Sequence, residues 1–460
     1  MTQQTPEGLD GRRLITAINS QAMHTMLSFS ALMVANAIDM VFIAHLGHES
    51  LTAASLASPF MWLMNTIAMG IALAISVHVS KGQEKAEGNT VIDVLLPGLL
   101  MAVAVYGVVL VGAGLNLEAL LEAMGAEQSV YEQSEGYLET WLYGFIITLT
   151  FAISTAYLRG LSLFKTQAIV VAVVCLMNIV LDPLLMFGMG SFDGFGLVGS
   201  VYAAWLAQAG GALVCIYFGV RRTPVSGPCN LGVGNMLTAA LNISRLAWVT
   251  SSTATFWPIS GIVATYLISK LGDAEVATMG VISKLQPLIM IPVWGVSAVT
   301  TVLLSKAFVQ QRHSQVGKIF KSGYALVLMW QTIVALPFIV FARPVASFML
   351  GGYEEALPFV VTYLMIIPIT VFGRGMLYLA VHGLPAIERA RTAMAIDAMY
   401  VLVLHTGCYW VGYLFNDFNM ALLMLLALNL LGGVLAVWVA KRARRALSMP
   451  KTQQRPMESI

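Results

Sequence analysis

The chain has 460 residues, 58% of them hydrophobic and 10% charged, with a mean hydropathy of +0.80 and a formal net charge of +2. A soluble domain carries roughly 25% charged residues, so most of this chain must be solvated by lipid or by its own apolar segments. The near-neutral balance gives no sign of a nucleic-acid partner.

Taken in chain order, apolar stretches of about 20 residues or more mark helices that cross a bilayer. Residues 51–79, 140–158, 194–220, 246–269, 322–342 and 421–440 contain no Asp, Glu, Lys or Arg. Residues 14–44, 94–116, 168–189, 276–304, 358–381 and 392–415 carry few, which makes twelve spans in all. Strands are excluded by the length of the stretches and by their lack of period-two alternation. Connections are short and hold turn formers, as at Leu46-Gly47-His48, Gly351-Gly352 and Asn416-Asp417. Residues 1–13 are polar, with no apolar core ahead of a small-residue cleavage site, so the first helix is expected to be retained. The longest link, 221–242, carries Pro224, Gly227, Pro228, Gly232 and Gly234. It divides the chain into a six-helix bundle over 1–220 and a second over 243–445, with a tail over 446–460.

Charge placement sets the expected orientation. With the N-terminus inside, all but four of the 25 basic residues fall in inner segments. Lys270 and Arg343 are in outer loops, and Lys284 and Arg374 lie within spans. This split obeys the positive-inside rule and puts both termini and the 221–242 link in the cytoplasm. The outer loop after the third helix is acidic instead, with Glu118, Glu122, Glu127, Glu132 and Glu135.

The halves look duplicated. A shift of 225 residues lays Leu46-Gly47 on Leu271-Gly272, Ser58 on Ser283, Leu63 on Leu288, Gly70 on Gly295, Val77 on Val302 and Ser80-Lys81 on Ser305-Lys306. A shift of 223 lays Gly160-Leu161 on Gly383-Leu384. Six helices per half keep both copies in the same orientation, with a pseudo-two-fold axis along the bilayer normal. The fold class is therefore an all-α membrane protein of twelve transmembrane helices in two related bundles. A path between them, open alternately to each face, suits a transporter.

Asp39 lies inside the first span and Asp182 inside the fifth. A carboxylate at membrane depth costs about 2.5–3.5 kcal/mol even on lenient insertion scales, so such groups mark polar pathways and ion or proton sites. Asn178 and Asp182 are four residues apart and share a helix face. If Asp39 faces them, desolvation and like-charge repulsion favour a retained proton near neutral pH. The same oxygens suit a sodium ion, and the residues leave the choice open. In the second half, Lys284, Arg374 and Asp397 form a possible polar cluster in which buried charges neutralise one another. His24, His78 and His405 read as packing histidines. The faces of Tyr202, Trp205, Trp257 and Trp294 suit organic cations. Cys175, Cys215, Cys229 and Cys408 are scattered and read as packing residues rather than redox or metal ligands.

Asn36 and Asp39 ahead of Leu46-Gly47, Leu158-Arg159-Gly160 closing the fourth helix, and Asn178 with Asp182-Pro183 resemble motifs of the multidrug and toxic compound extrusion (MATE) family. The likeness covers essentially the whole chain. It implies export of organic cations and amphipathic drugs in exchange for protons or sodium, with no further cofactor, by a monomer in the inner membrane. Carried across by motif, Asp39, Asn178 and Asp182 match the N-terminal-half coupling site, and Tyr137 matches the tyrosine that joins it. Trp257 stands where one branch of the family has a glutamate, which argues against a second acidic site. The first span lacks the proline that bends it in another branch. A lipid-linked oligosaccharide flippase is the rival reading, although Lys284 and Arg374 are few cations for a pyrophosphate cargo. An enzyme is not expected, because no HExxH, G-x-S-x-G or phosphate-cradling glycine loop is present.

Overall fold

The computed structural model describes residues 11–84, 91–114, 117, 128–190, 193–223, 233–350 and 354–448, and its regular structure is helical. The first half supplies α1 (Gly11–Leu46), α2 (His48–Gln83), α3 (Leu96–Gly114), α4 (Gln128–Gly160), α5 (Phe164–Phe187) and α6 (Leu197–Arg222). The second supplies α7 (Val233–Ile268), α8 (Asp273–Val309), α9 (His313–Val340), the short α10 (Ala342–Leu350), α11 (Leu357–Gly383), α12 (Ala390–Phe415) and α13 (Phe418–Ser448). The twelve long helices correspond one for one to the expected spans. Several run further because polar-flanked ends, such as residues 131–139 of α4, extend the apolar stretch. The nine-residue α10 was not anticipated, being too short to span.

Ten helices among the described residues are long and apolar enough to cross a bilayer. An eleventh span qualifies as the pair Glu354–Ile366 and Thr370–Ile387, bent by 56°. The twelfth, α7, is 36 residues long but polar at its centre, where Thr250, Ser251, Ser252, Thr253 and Thr255 dilute its hydropathy. Two of these hydroxyls are tied to the α2 backbone: Thr250 Oγ1 donates to Gly70 O at 2.7 Å and Ser251 Oγ to Ile67 O at 3.0 Å. Helix α1 is continuous and free of proline, while α2, α5, α7, α8 and α9 each carry proline inside.

The chain divides into two compact units, Leu27–Thr255 and Met1–Met26 with Phe256–Ile460. The division falls inside α1 and α7 rather than in the 221–242 link. Each unit thus includes the first part of a helix whose remainder belongs to the other. Within Leu27–Thr255, a Cβ on Gly70 of α2 would collide with the Ser251 backbone. Within the other unit, a Cβ on Gly295 of α8 would stand 2.6 Å from Met26 Cγ. The 225-residue shift relates both partners, so this is one contact made twice. Likewise a Cβ on Gly160 would stand 2.5 Å from Val79 Cβ, and one on Gly383 2.8 Å from Leu304 Cδ1.

The helix ends repeat as well. Ser162 and Glu388 are left-handed, at φ 62° and 63°. Each is followed by a bond reaching five residues back, Leu163 N to Leu158 O at 2.9 Å and Arg389 N to Leu384 O at 3.0 Å, which satisfies carbonyls left open at the helix end. The core of Leu27–Thr255 interleaves Ala53, Ala57, Ile71 and Ile75 of α2 with Leu138, Phe145, Leu149 and Ile153 of α4. Alanine on α2 lets the backbones approach, the usual basis of helix association in lipid. The glycine pair at 351–352, most of the 221–242 link, the 446–460 tail beyond Ser448, and Glu118, Glu122 and Glu127 lie outside the described residues.

Candidate functional site

Four helices of the Leu27–Thr255 unit build one polar site. Helix α1 places Asp39, α4 places Tyr137, α5 places Asn178 and Asp182, and α6 places Ser200. The four-residue spacing puts Asn178 directly beside Asp182, and Asn178 Nδ2 donates to Asp182 Oδ1 at 3.0 Å. Asp182 is fully buried. Helix α5 runs on through Pro183 to Phe187, so Asp182 sits inside a helix and does not cap a break. Pro183 has no N–H, which frees the Ile179 carbonyl from its helical donor.

Tyr137 is buried beside Ser200, whose hydroxyl donates to Leu197 O at 3.0 Å, and it feels the charges of both Asp39 and Asp182. The two carboxylates act on each other as well. Oδ1 of Asp39 and Oδ2 of Asp182 are buried with no hydrogen-bond partner. A buried carboxylate oxygen without a donor is costly unless a proton or cation occupies it. The arrangement is therefore built to take up positive charge. Among the described residues no group of three or more His, Cys, Asp or Glu is placed to hold a metal ion. Of the four expected residues the structure brings all together, and it adds Ser200, which carried no sequence signal.

The second-half cluster is only partly as expected. Lys284 does not join Arg374 and Asp397: it lies exposed on α8, and the groups acting on Arg374 are Tyr400, Tyr363, Tyr409 and Asp397. Residues two apart on a helix point about 200° apart, and it is Gln286 that faces inward. With its amide oxygen turned toward α11, Gln286 accepts from Arg374, including Nη2 at 3.1 Å. The guanidinium carbon lies 3.3 Å from the centre of the Trp257 ring. Trp257 therefore already carries a protein cation rather than offering its face to one. Nor is His405 an isolated packing residue. Its ring lies 4.4 Å from that of Trp257, and its Nδ1 is 2.8 Å from Ser260 Oγ. The available signal was positional: His405 is the shifted counterpart of Asp182. His78, by contrast, bonds locally to Ala74 O at 2.9 Å.

Twelve long helices in two duplicated units, with paired acids held among them, define a multi-pass membrane transporter. The MatE family model matches residues 25–184 and again residues 253–411, one copy in each half. The chain belongs to the MATE family. It is 20% identical over 418 residues to a FAD transporter of Shewanella oneidensis, covering 91% of each chain. It is 22% identical over 315 residues to the probable multidrug resistance protein NorM of Thermotoga maritima, covering 66% of each. The crystal structure of a Vibrio cholerae MATE transporter, VcmN, shares the fold, with a TM-score of 0.85 at 20% identity over 95% of this chain and 98% of that one.

Proposed function

We propose that this protein is a secondary active exporter of cationic or amphipathic organic compounds, driven by inward proton flow through Asp39 and Asp182. The observation that carries the reading is the pair of buried carboxylate oxygens without partners, one from each acid. A proton needs a single such oxygen. A sodium ion needs several, and one Asp182 oxygen already accepts from the Asn178 N–H. Asn178 and Tyr137 position the pair: one fixes the Asp182 carboxylate and the other closes the site with Ser200.

Exchange follows from differential affinity, the only means by which a ligand shifts two conformations. Protonation at the outer face removes negative charge and releases a cationic compound outward. Deprotonation at the inner face restores attraction for the next one. An ion gradient is the only energy source this cycle requires. The protein acts as a monomer in the inner membrane with both termini in the cytoplasm. Native Cys229 tests that topology, because Cys175, Cys215 and Cys408 are buried. An impermeant thiol reagent should label Cys229 only after the cells are permeabilised, and labelling in intact cells contradicts the topology.

A second reading widens the substrates to aromatic compounds bearing negative charge. The Shewanella relative is named a FAD transporter, and the placement of Arg374 on Trp257 favours the same chemistry here. Substrate-driven proton release from reconstituted vesicles tests coupling for either class. A substrate that crosses the membrane without moving protons would overturn the proposal.

A further inference from the structure

A guanidinium at membrane depth is expensive and normally sits against a carboxylate that neutralises it. Arg374 is held differently. Its hydrogen-bond acceptor is the neutral Gln286 amide, and its face is covered by Trp257. Its positive charge is thus oriented by neutral groups in direct contact, with Asp397 as the anion that acts on it. Beside it stands an aromatic panel, Trp257 against His405 at 4.4 Å and His405 against Tyr409 at 5.3 Å. Hydroxyls border the panel: Ser260 Oγ lies 2.8 Å from His405 Nδ1 and 2.9 Å from Thr406 Oγ1.

The backbone is irregular at the same place. Residues Ala398–His405 of α12 form a π-helix, which delivers both Tyr400 and His405 to the cluster. Such bulges concentrate at functional positions because they redirect side chains that a regular helix would carry elsewhere. Packing alone gives no reason to spend an irregular turn, an arginine and four aromatic side chains on one spot.

We propose that the Arg374–Trp257 cluster of the unit containing Phe256–Ile460 is a binding site for an organic solute that joins an aromatic ring to a carboxylate or phosphate. The planar guanidinium fork matches such an anion while one face stays on the indole. The ring of the solute stacks along Trp257, His405 and Tyr409 in the offset or edge-on geometries that aromatic groups favour. Asp397 is the anion that the bound group must outcompete. The proposal rests on the transporter reading but not on the coupling role of Asp39.

Equilibrium binding to the full chain in detergent, followed by flavin fluorescence, tests it with riboflavin 5′-phosphate and riboflavin, which differ only in the phosphate. The phosphate ester should bind at least about tenfold tighter, the scale of one hydrogen bond to a charged group. Arg374→Gln should reduce it to the affinity of riboflavin, Arg374→Lys should restore part of the difference, and Trp257→Leu should weaken both flavins. Asp397→Asn should tighten the phosphate ester severalfold by removing the competing anion. Lys284→Gln, on the exposed face of α8, should leave every value unchanged, and because equilibrium binding needs no proton gradient, failure of the coupling proposal and failure of this one are told apart. Equal affinity for the two flavins overturns the site. So does an Asp397→Asn protein that loses thermal stability without gaining affinity, which makes Arg374 and Asp397 a structural pair. Displacement of riboflavin 5′-phosphate by phosphatidylglycerol, with inorganic phosphate inert, assigns the guanidinium to a lipid headgroup instead and also overturns the proposal.

Discussion

Where the first half carries Asp182, the second carries His405, and the shifted counterparts of Asp39 and Asn178 are Ala264 and Val401. Conversely, Arg374 and Asp397 fall on Phe151 and Val174 under the same 223-residue shift. The scaffold contacts behave in the opposite way. Gly70 and Gly295 make related close approaches, as do Gly160 and Gly383, and the left-handed turn with its five-residue bond that follows Gly160 recurs three residues later after Gly383. Duplication has preserved what lets helices touch and has changed the charged groups that they enclose. An acid pair that attracts positive charge in one unit stands against an arginine on an aromatic panel in the other. Under the proposed reading, the first drives the cycle and the second selects what is carried.

The most severe way to break this contrast is to neutralise the acid side. Asp39→Asn removes an ionisable group with almost no change of volume, so export into inverted vesicles should fall to background while expression stays near wild type. Full transport by that variant excludes Asp39 as the coupling acid. A smaller effect is expected at Asn178. Alanine there deletes the donor to Asp182, and a hydrogen bond to a charged group is worth about 1.5–3 kcal/mol. Initial transport rates should fall roughly tenfold or more with the proton dependence retained; an unchanged rate shows that the amide does not position the carboxylate.

The shared scaffold offers the mildest test. Gly160→Ala forces a Cβ against the branched Cβ of Val79 and close to Ser76 O, neither of which can yield easily. Overpacking of this kind costs typically 1–3 kcal/mol. Gly383→Ala meets the flexible end of Leu304 and should cost less. Thermal unfolding in detergent should rank Gly160→Ala below Gly383→Ala, and the reverse order shows that Val79 yields more readily than Leu304.

Much of this was legible in the sequence, for reasons that differ by residue. The twelve spans follow from length and hydropathy, since lipid permits only internally bonded helices. Asp39, Asn178 and Asp182 stood out because charge inside an apolar stretch is rare and because four-residue spacing fixes a shared face. Ser200 did not stand out, because a serine in a membrane helix is common and usually bonds to its own backbone. Lys284 misled for the converse reason: a span boundary read from composition says nothing about which way a side chain points, and Gln286 holds the inward position. The division at Met26–Leu27 and Thr255–Phe256 was hidden as well. Composition marks linkers, whereas the unit a helical segment joins depends on close approaches such as Gly70 to Ser251. The polar centre of α7 was visible only as lowered hydropathy, and the π-helical turn that delivers His405 left no mark in the pattern at all.

The central claim, that Asp39 and Asp182 exchange protons against substrate, is tested most directly by equilibrium binding of a cationic dye from about pH 5 to pH 9, a range in which buried carboxylates titrate, with sodium absent and present. Protonation lowers the negative charge of the pair, so affinity should fall as pH drops, be indifferent to sodium, and lose its pH dependence in Asp39→Asn. An affinity that ignores pH and follows sodium contradicts the account and makes the same residues a sodium site.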